Sequence, residues 1–426
     1  MAEEPPLART VVARGGTALA VLTGINLLNY LDRWIVAALA ESMKHSELRL
    51  SDAQLGSLMT GFLVVYMATA PLFGSLGDTR SRPRLLGMAV AIWSVATGLA
   101  GLARNFATLF VARAAVGIGE AVYGTISPAL LADYFPRERR GRVFAVFFAA
   151  IPVGSALGYV VGGLVDRYFG WRQAFLVAGV PGLALAALAL RLYDPPRGAQ
   201  DPDTGPAPGT RSAAVGGAAR AAYAALLRNR PYVLTVLGYA AYTFAIGALA
   251  FWTPAFLERT RGISKAHATV QFGAVVVATG FLGTYAGGWL GDWWLPRSRH
   301  AYLWLSGVAT LVAAPLTLVA LTALTPAVYW SAIVAAELCL FASTGPINST
   351  IVNVVDPGMR ATAVALSIFT IHVLGDVPSP SLVGIVSDAR TLGEAMLIIP
   401  AAVLAGGVIW TYAAWHGSRY DPTSTS

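Results

Sequence analysis

The chain has 426 residues, of which 56% are hydrophobic and only 12% charged, against about 25% charged in a soluble protein. That apolar content suffices for roughly twelve membrane helices of ~20 residues, which excludes a water-soluble enzyme and a disordered chain. The net charge of +8 comes from arginines clustered between apolar runs, a membrane-topology pattern and not a nucleic-acid-binding one.

The first apolar run, 17–40, is too long and too polar inside for a cleavable signal and reads as a retained span. Runs of helical length follow at 52–76, 85–103, 106–132, 140–164 and 172–192. A polar stretch from Tyr193 to Arg230 contains Asp194-Pro-Pro and a Pro/Gly-rich run from Asp201. It cannot sustain a helix and reads as a tether, disordered for most of its length. Apolar runs resume at 232–257, 267–291, 300–323, 327–350, 359–387 and 392–415. The expected fold is therefore all-α: an integral membrane protein with twelve transmembrane helices in two bundles, 1–192 and 231–426, joined by a cytoplasmic linker, 193–230. Continuous runs, not alternating ~10-residue segments, argue against a membrane β-barrel. Lys and Arg are about twice as frequent in segments such as Arg80–Arg84 and Arg137–Arg142 as in the alternate loops. By the positive-inside rule this places both termini in the cytoplasm; the expected location is a plasma (inner) membrane.

Three short echoes relate the halves. Gly74-Ser-Leu-Gly77-Asp78 with Arg82 and Arg84 matches Gly288-Trp-Leu-Gly291-Asp292 with Arg297 and Arg299. Pro136-x-x-Arg139 matches Pro357-x-x-Arg360, and Gly162-x-x-x-Asp166 matches Gly384-x-x-x-Asp388. All three offsets are close to half the chain, the mark of one duplication.

Charges inside spans are costly, by roughly 2.5–3.5 kcal/mol at the bilayer centre, and by default mark a functional site. The first span carries Asn26, Asn29, Tyr30, Asp32 and Arg33, with Asn26, Asn29 and Arg33 on one face. Asp32 and Arg33 point about 100° apart and are expected to serve different partners. The fourth span carries Arg113 and Glu120 two turns apart, with Gly117 leaving the face between them open. A carboxyl caught between burial and a nearby arginine can take and release a proton. The alternative is a permanent ion pair of Arg33 or Arg113 with Glu120 that only fixes packing. In the second half the inward candidates are Glu337 and the i, i+4 pair His372 and Asp376. Tyr239, Tyr242, Phe251 and Trp252 are expected to wall an apolar cavity.

The histidines show no metal-ligand spacing, and no phosphate loop of the G-x-x-x-x-G-K-[ST] type is present, which argues against an ATP-driven pump. Gly117 and Gly119 lie mid-span and read as helix packing. No metal or organic cofactor is expected.

The Gly74–Arg84 stretch, with Leu76 and Asp78, resembles the loop signature of the major facilitator superfamily in altered spacing. Four further stretches resemble the superfamily's spinster branch, the sphingolipid and lysophospholipid transporters. They are Asn29-Tyr-Leu-Asp32-Arg33, Arg113-x-x-x-Gly117-x-Gly119-Glu120, Pro136-x-x-Arg139-Arg140 and His372-x-x-Gly375-Asp376-x-Pro-Ser379-Pro380. The resemblance implies two like-oriented bundles working by alternating access. It implies Asp32 and Glu120 as proton-coupling acids, with protons the only coupling ion. Asn29, Tyr30, Arg33, Arg113, Glu120, Tyr242, Trp252, Glu337, His372 and Asp376 become substrate-binding candidates. Gly74, Asp78, Arg82, Arg84 and Arg139 become a cytoplasmic gate. The implied partner is an amphipathic lipid in the bilayer, with no nucleic acid and a monomeric chain. A drug/proton or organic-ion antiporter, a polytopic lipid-modifying enzyme and a non-transporting sensor are the competing readings.

Overall fold

A computed structural model describes residues 6–200, 223–355 and 360–419. Among them the regular structure is helical, with no strand. The first half runs α1 (Pro6–His45), α2 (Asp52–Thr79), α3 (Arg82–Gly101), α4 (Phe106–Tyr134), α5 (Arg137–Phe169) and α6 (Trp171–Leu190). The second runs α7 (Arg230–Arg261), α8 (Lys265–Trp294), α9 (Ala301–Thr322), α10 (Pro326–Ala342), α11 (Thr344–Asn353), α12 (Arg360–Ile371), α13 (Pro378–Ala389), α14 (Leu392–Met396) and α15 (Ile398–Arg419). A π-helical turn, His372–Asp376, joins α12 to α13.

Eleven stretches among the described residues are long and apolar enough to cross a membrane, where the composition predicts twelve. The missing one is α1, because Asn26, Asn29, Asp32 and Arg33 dilute its apolar run. Its length still exceeds a span, since it continues well beyond the 17–40 window on both sides. Large apolar side chains such as Leu72, Val111, Tyr285 and Leu324 are exposed, as expected of surfaces solvated by acyl chains.

Helix ends follow local chemistry. Asn105 and Thr108 form a reciprocal cap at the start of α4, and Asn229 caps α7 by accepting from the Tyr232 amide at 3.1 Å. Each cap satisfies a donor that the first turn leaves without a helical partner.

The described residues fall into two compact units. The first takes in 6–50, 57–200 and 265–273; the second takes in 51–56, 223–264, 274–355 and 360–419. In the first unit α1 packs chiefly on α5, and α3 on α6 and α4. Close approach of α1 and α5 depends on glycine: a Cβ on Gly158 would sit 2.6 Å from the Leu31 carbonyl oxygen, and without it the backbones can meet. In the second unit α9 packs on α15 and α10, and α15 on α7, which also contacts the π-helical turn.

Much of the proposed linker, residues 201–222, lies outside the described residues. Residues 193–200 are not a free tether. The Arg14 guanidinium lies over the Tyr193 ring at 5.2 Å, and Tyr134 Oη donates to the Tyr193 carbonyl. Asp194 and the Pro195 carbonyl are held by Arg82.

A crossed charge quartet as candidate functional site

The first unit carries two buried ion pairs. Asp32 Oδ1 accepts from Arg113 Nη1 at 3.0 Å, and Asp32 Oδ2 from Thr97 Oγ1 at 2.6 Å. Arg33 Nη2 donates to Glu120 Oε2 at 2.8 Å. The helical period explains the crossing: consecutive residues of α1 diverge by about 100°, so one faces α3 and the upper end of the α4 pair while the other reaches Glu120. Arg113 and Glu120 sit seven residues apart on α4, about 10 Å along its axis, which keeps the two pairs distinct.

Burial differs across the quartet. The Asp32 and Arg113 side chains are 3% and 1% exposed, and Glu120 is fully enclosed, but Arg33 retains 17%. Arg33 is also the best stacked, with Tyr30 at 4.9 Å, Phe62 at 5.1 Å and Tyr66 at 5.6 Å from its guanidinium carbon. Three buried polar atoms of the quartet make no protein hydrogen bond: Arg33 Nε, Arg113 Nε and Glu120 Oε1. One oxygen of Glu120 is therefore held by Arg33, and the other can accept a proton without breaking any bond.

Arg113, a cavity or pairing residue by the resemblance, is seen paired with Asp32. One expectation for this site changes. The α4 face between Arg113 and Glu120 is not open: Gly117 admits the α2 backbone, and a Cβ there would lie 2.5 Å from the Phe62 carbonyl oxygen. Gly119 admits α3 in the same way at Ala89, so both glycines serve packing. Asn29 is buried, and Asn26 Nδ2 donates to the Phe147 carbonyl at 2.9 Å.

In the second unit, His372 Nδ1 lies 2.8 and 3.0 Å from the two oxygens of Asp376, both side chains about one-fifth exposed. The π-helical turn carries both residues, a feature often found at functional positions. Glu337 is buried and accepts from Thr279 Oγ1 at 2.7 Å; its sequence distance of 58 residues from that partner hid the pairing. Tyr242 donates to the Leu340 carbonyl at 2.9 Å and packs with Tyr239 and Trp410. Trp252 and Phe251 wall no cavity, since neither has any exposed surface. Trp252 Nε1 donates to the Pro380 carbonyl at 3.0 Å, which makes it an anchor for α13.

The gate candidates divide. The surroundings of Gly74 and the Asp78 side chain lie outside what is described, and Arg84 and Arg139 are exposed. Arg82 is buried and pairs inside its own unit, with Asp133, with Asp194 at 2.8 Å and with the Pro195 carbonyl at 2.6 Å. Asp133 Oδ1 also accepts from the Gly198 amide at 2.9 Å. Sequence reasoning missed Asp133 and Asp194. An acid in the last turn of α4, just before the Pro136-x-x-Arg139 motif, was the available signal.

The repeat echo at Asp166 and Asp388 also has a structural meaning. In the first unit Asp166 accepts from Ser42 Oγ at 2.5 Å and pairs with Lys265, the first residue of α8, at 3.0 Å. In the second unit Asp388 accepts from the amides of Asp52 and Ala53, the first residues of α2, both at 2.8 Å. Asp52 in turn takes a two-pronged bond from Arg259 at 2.5 and 2.8 Å and one from Ser387. Each duplicated acid thus holds the start of one helix.

A family model described as Major Facilitator Superfamily matches residues 22–380. The Drosophila melanogaster protein spinster is 33% identical over 379 residues, 87% of this chain, which spans 61% of the fly protein's length. The Mus musculus sphingosine-1-phosphate transporter SPNS2 is 34% identical over 432 residues, covering 93% of this chain and 76% of the mouse protein. Among solved structures, a bacterial homolog to the human lysosomal transporter spinster, in an inward-facing and unoccupied conformation, shares the fold with a TM-score of 0.84. It is 23% identical, with 99% of this chain and 100% of that one aligned. The chain belongs to the Major Facilitator Superfamily and, within it, to the spinster branch.

Proposed function

We propose that the protein is a proton-coupled transporter of an anionic amphipathic lipid, of sphingolipid or lysophospholipid type, working by alternating access. It would act as a monomer in a plasma membrane, with both termini cytoplasmic. The observation that carries this reading is Arg33, the one partly exposed member of the quartet, backed by three aromatic rings and bonded to Glu120. Its guanidinium suits a phosphate headgroup, and the mouse relative is by name a sphingosine-1-phosphate transporter.

The chemistry follows from competition for that guanidinium. A phosphate that takes Arg33 leaves Glu120 as a lone carboxylate in a buried site, a costly state. Glu120 relieves it by accepting a proton, with Oε1 already unoccupied by any protein donor. Release of the lipid returns Arg33 to Glu120 and expels the proton. Asp32, locked to Arg113 and Thr97, fixes the α1 turn from which Arg33 projects. His372 and Asp376 are the second unit's polar contribution.

The test is uptake into proteoliposomes with a panel of lysophospholipids, a sphingoid phosphate, a zwitterionic lipid and a cationic drug. Selective movement of the anionic single-chain lipids, abolished in Arg33→Gln, is the expected result. Movement of the cationic drug alone would assign the scaffold to drug export.

A further inference from the structure

A groove of about 670 Å³ lies between the end of α3 and the start of α4, wholly within the first unit. Its floor is made of small side chains, Ala96, Ala103, Ala107 and Ala115, and its rims are Leu99 and Val111. Those rims are 53% and 65% exposed, so the groove opens on an apolar surface of the membrane-spanning region. Alanines at helical spacing on two facing helices leave a trough where larger residues would have closed the surface.

One end of the trough is polar. Arg104 lines it and is exposed, in the short connection between the membrane-spanning stretches α3 and α4. Its polar neighbours are committed elsewhere: Asn105 and Thr108 bond each other in the α4 cap. Arg172 reaches the carbonyls of Gly101 and Ala103 at 2.8 and 2.7 Å and pairs with Glu47. The hydrogen bonds from Arg172 hold the Glu47 carboxyl below the usual carboxylate range, so that pair sums to zero and Arg104 leaves this end with a net positive charge. Trp171 packs under Arg172 at 4.3 Å, in the manner of interfacial aromatics.

We infer that this trough is a binding site for an anionic diacyl phospholipid, its phosphate on Arg104 and an acyl chain along the alanine floor. The site is separate from the Arg33–Glu120 pair and serves as a structural or regulatory lipid site, whatever the transported molecule is. An apolar trough alone accepts any acyl chain; the unpaired arginine selects headgroup charge. One arginine near a membrane surface supplies about 1 kcal/mol, close to a fivefold preference.

The experiment is native mass spectrometry of the full chain, with phosphatidylglycerol and phosphatidylcholine of identical acyl chains. Wild type should retain phosphatidylglycerol about fivefold over phosphatidylcholine. Arg104→Gln should abolish that preference, Arg104→Lys should preserve it, and Ala107→Phe should reduce retention of both lipids by filling the trough. Arg33→Gln should leave phosphatidylglycerol retention at the wild-type level, which separates this site from the transport site. Equal retention of both lipids by wild type, or a preference that survives Arg104→Gln, would overturn the assignment; a preference that disappears in Arg33→Gln instead would move the anionic lipid to the transport site.

Discussion

Asp32 and Arg33 are bonded neighbours in the chain, yet each is salt-bridged to a different residue of α4: Asp32 to Arg113 at 3.0 Å, Arg33 to Glu120 at 2.8 Å. One α1 turn therefore carries both the most sealed ion pair described in the first unit and one whose arginine stays partly exposed. On the proposed mechanism the first holds the turn in place and the second exchanges its partner.

The sealed pair should behave as a structural unit. Arg113→Leu leaves Asp32 buried without its cation and should cost about 3–5 kcal/mol of stability. The double variant Asp32→Asn, Arg113→Leu should cost less than the sum of the singles by about 0.5–3 kcal/mol, as expected for residues in contact. Thermal or denaturant unfolding of purified protein in detergent gives the comparison.

Lipid binding should take up a proton. Calorimetry in two buffers of different ionisation enthalpy should show up to one proton bound per lipid in wild type, and close to none in Glu120→Gln. By linkage, lowering the pH through the range where this uptake occurs should tighten lipid binding. Proton release on binding would contradict the competition for Arg33.

The Arg82 cluster should control access to residues 193–200. Arg82→Gln removes the guanidinium bonds to Asp133, Asp194 and the Pro195 carbonyl together and leaves only the Arg82 amide on Asp194. Protease cleavage within 193–200 should accelerate by tenfold or more, whereas Arg84→Gln, an exposed neighbour, should leave it unchanged.

His372 and Asp376 should act as one element. If their bond is what matters to transport, His372→Asn and Asp376→Asn should each lower the rate by a similar factor, and the double variant should be no worse than either. Additive losses would mean that they act separately.

The architecture was legible because a membrane forces apolar runs of fixed length, and those runs are continuous here. The span that fails the apolarity test, α1, carries half of the candidate site, since the same charges that dilute its hydropathy single it out in the sequence. Arg33 and Glu120 could be singled out because buried charges need partners and few were available. What stayed hidden were partners distant in sequence. Asp133 and Asp194 lie 51 and 112 residues from Arg82, and no local pattern joins them. Trp252 misled for a different reason: an aromatic ring in a span has the same composition whether it lines a cavity or fills a core. The duplicated Asp166 and Asp388 were visible as an echo, but their role in holding helix starts needed coordinates.

The most direct measurement of the coupling is lipid transport in proteoliposomes with an imposed pH gradient, comparing wild type with Glu120→Gln and Asp32→Asn. Wild-type transport should rise with the gradient, whereas Glu120→Gln should move lipid at a rate independent of it, at least tenfold below the driven wild-type rate; Asp32→Asn, which loosens the turn, should lower the rate and keep its dependence on the gradient. Gradient-driven transport that persists unchanged in Glu120→Gln would contradict the account.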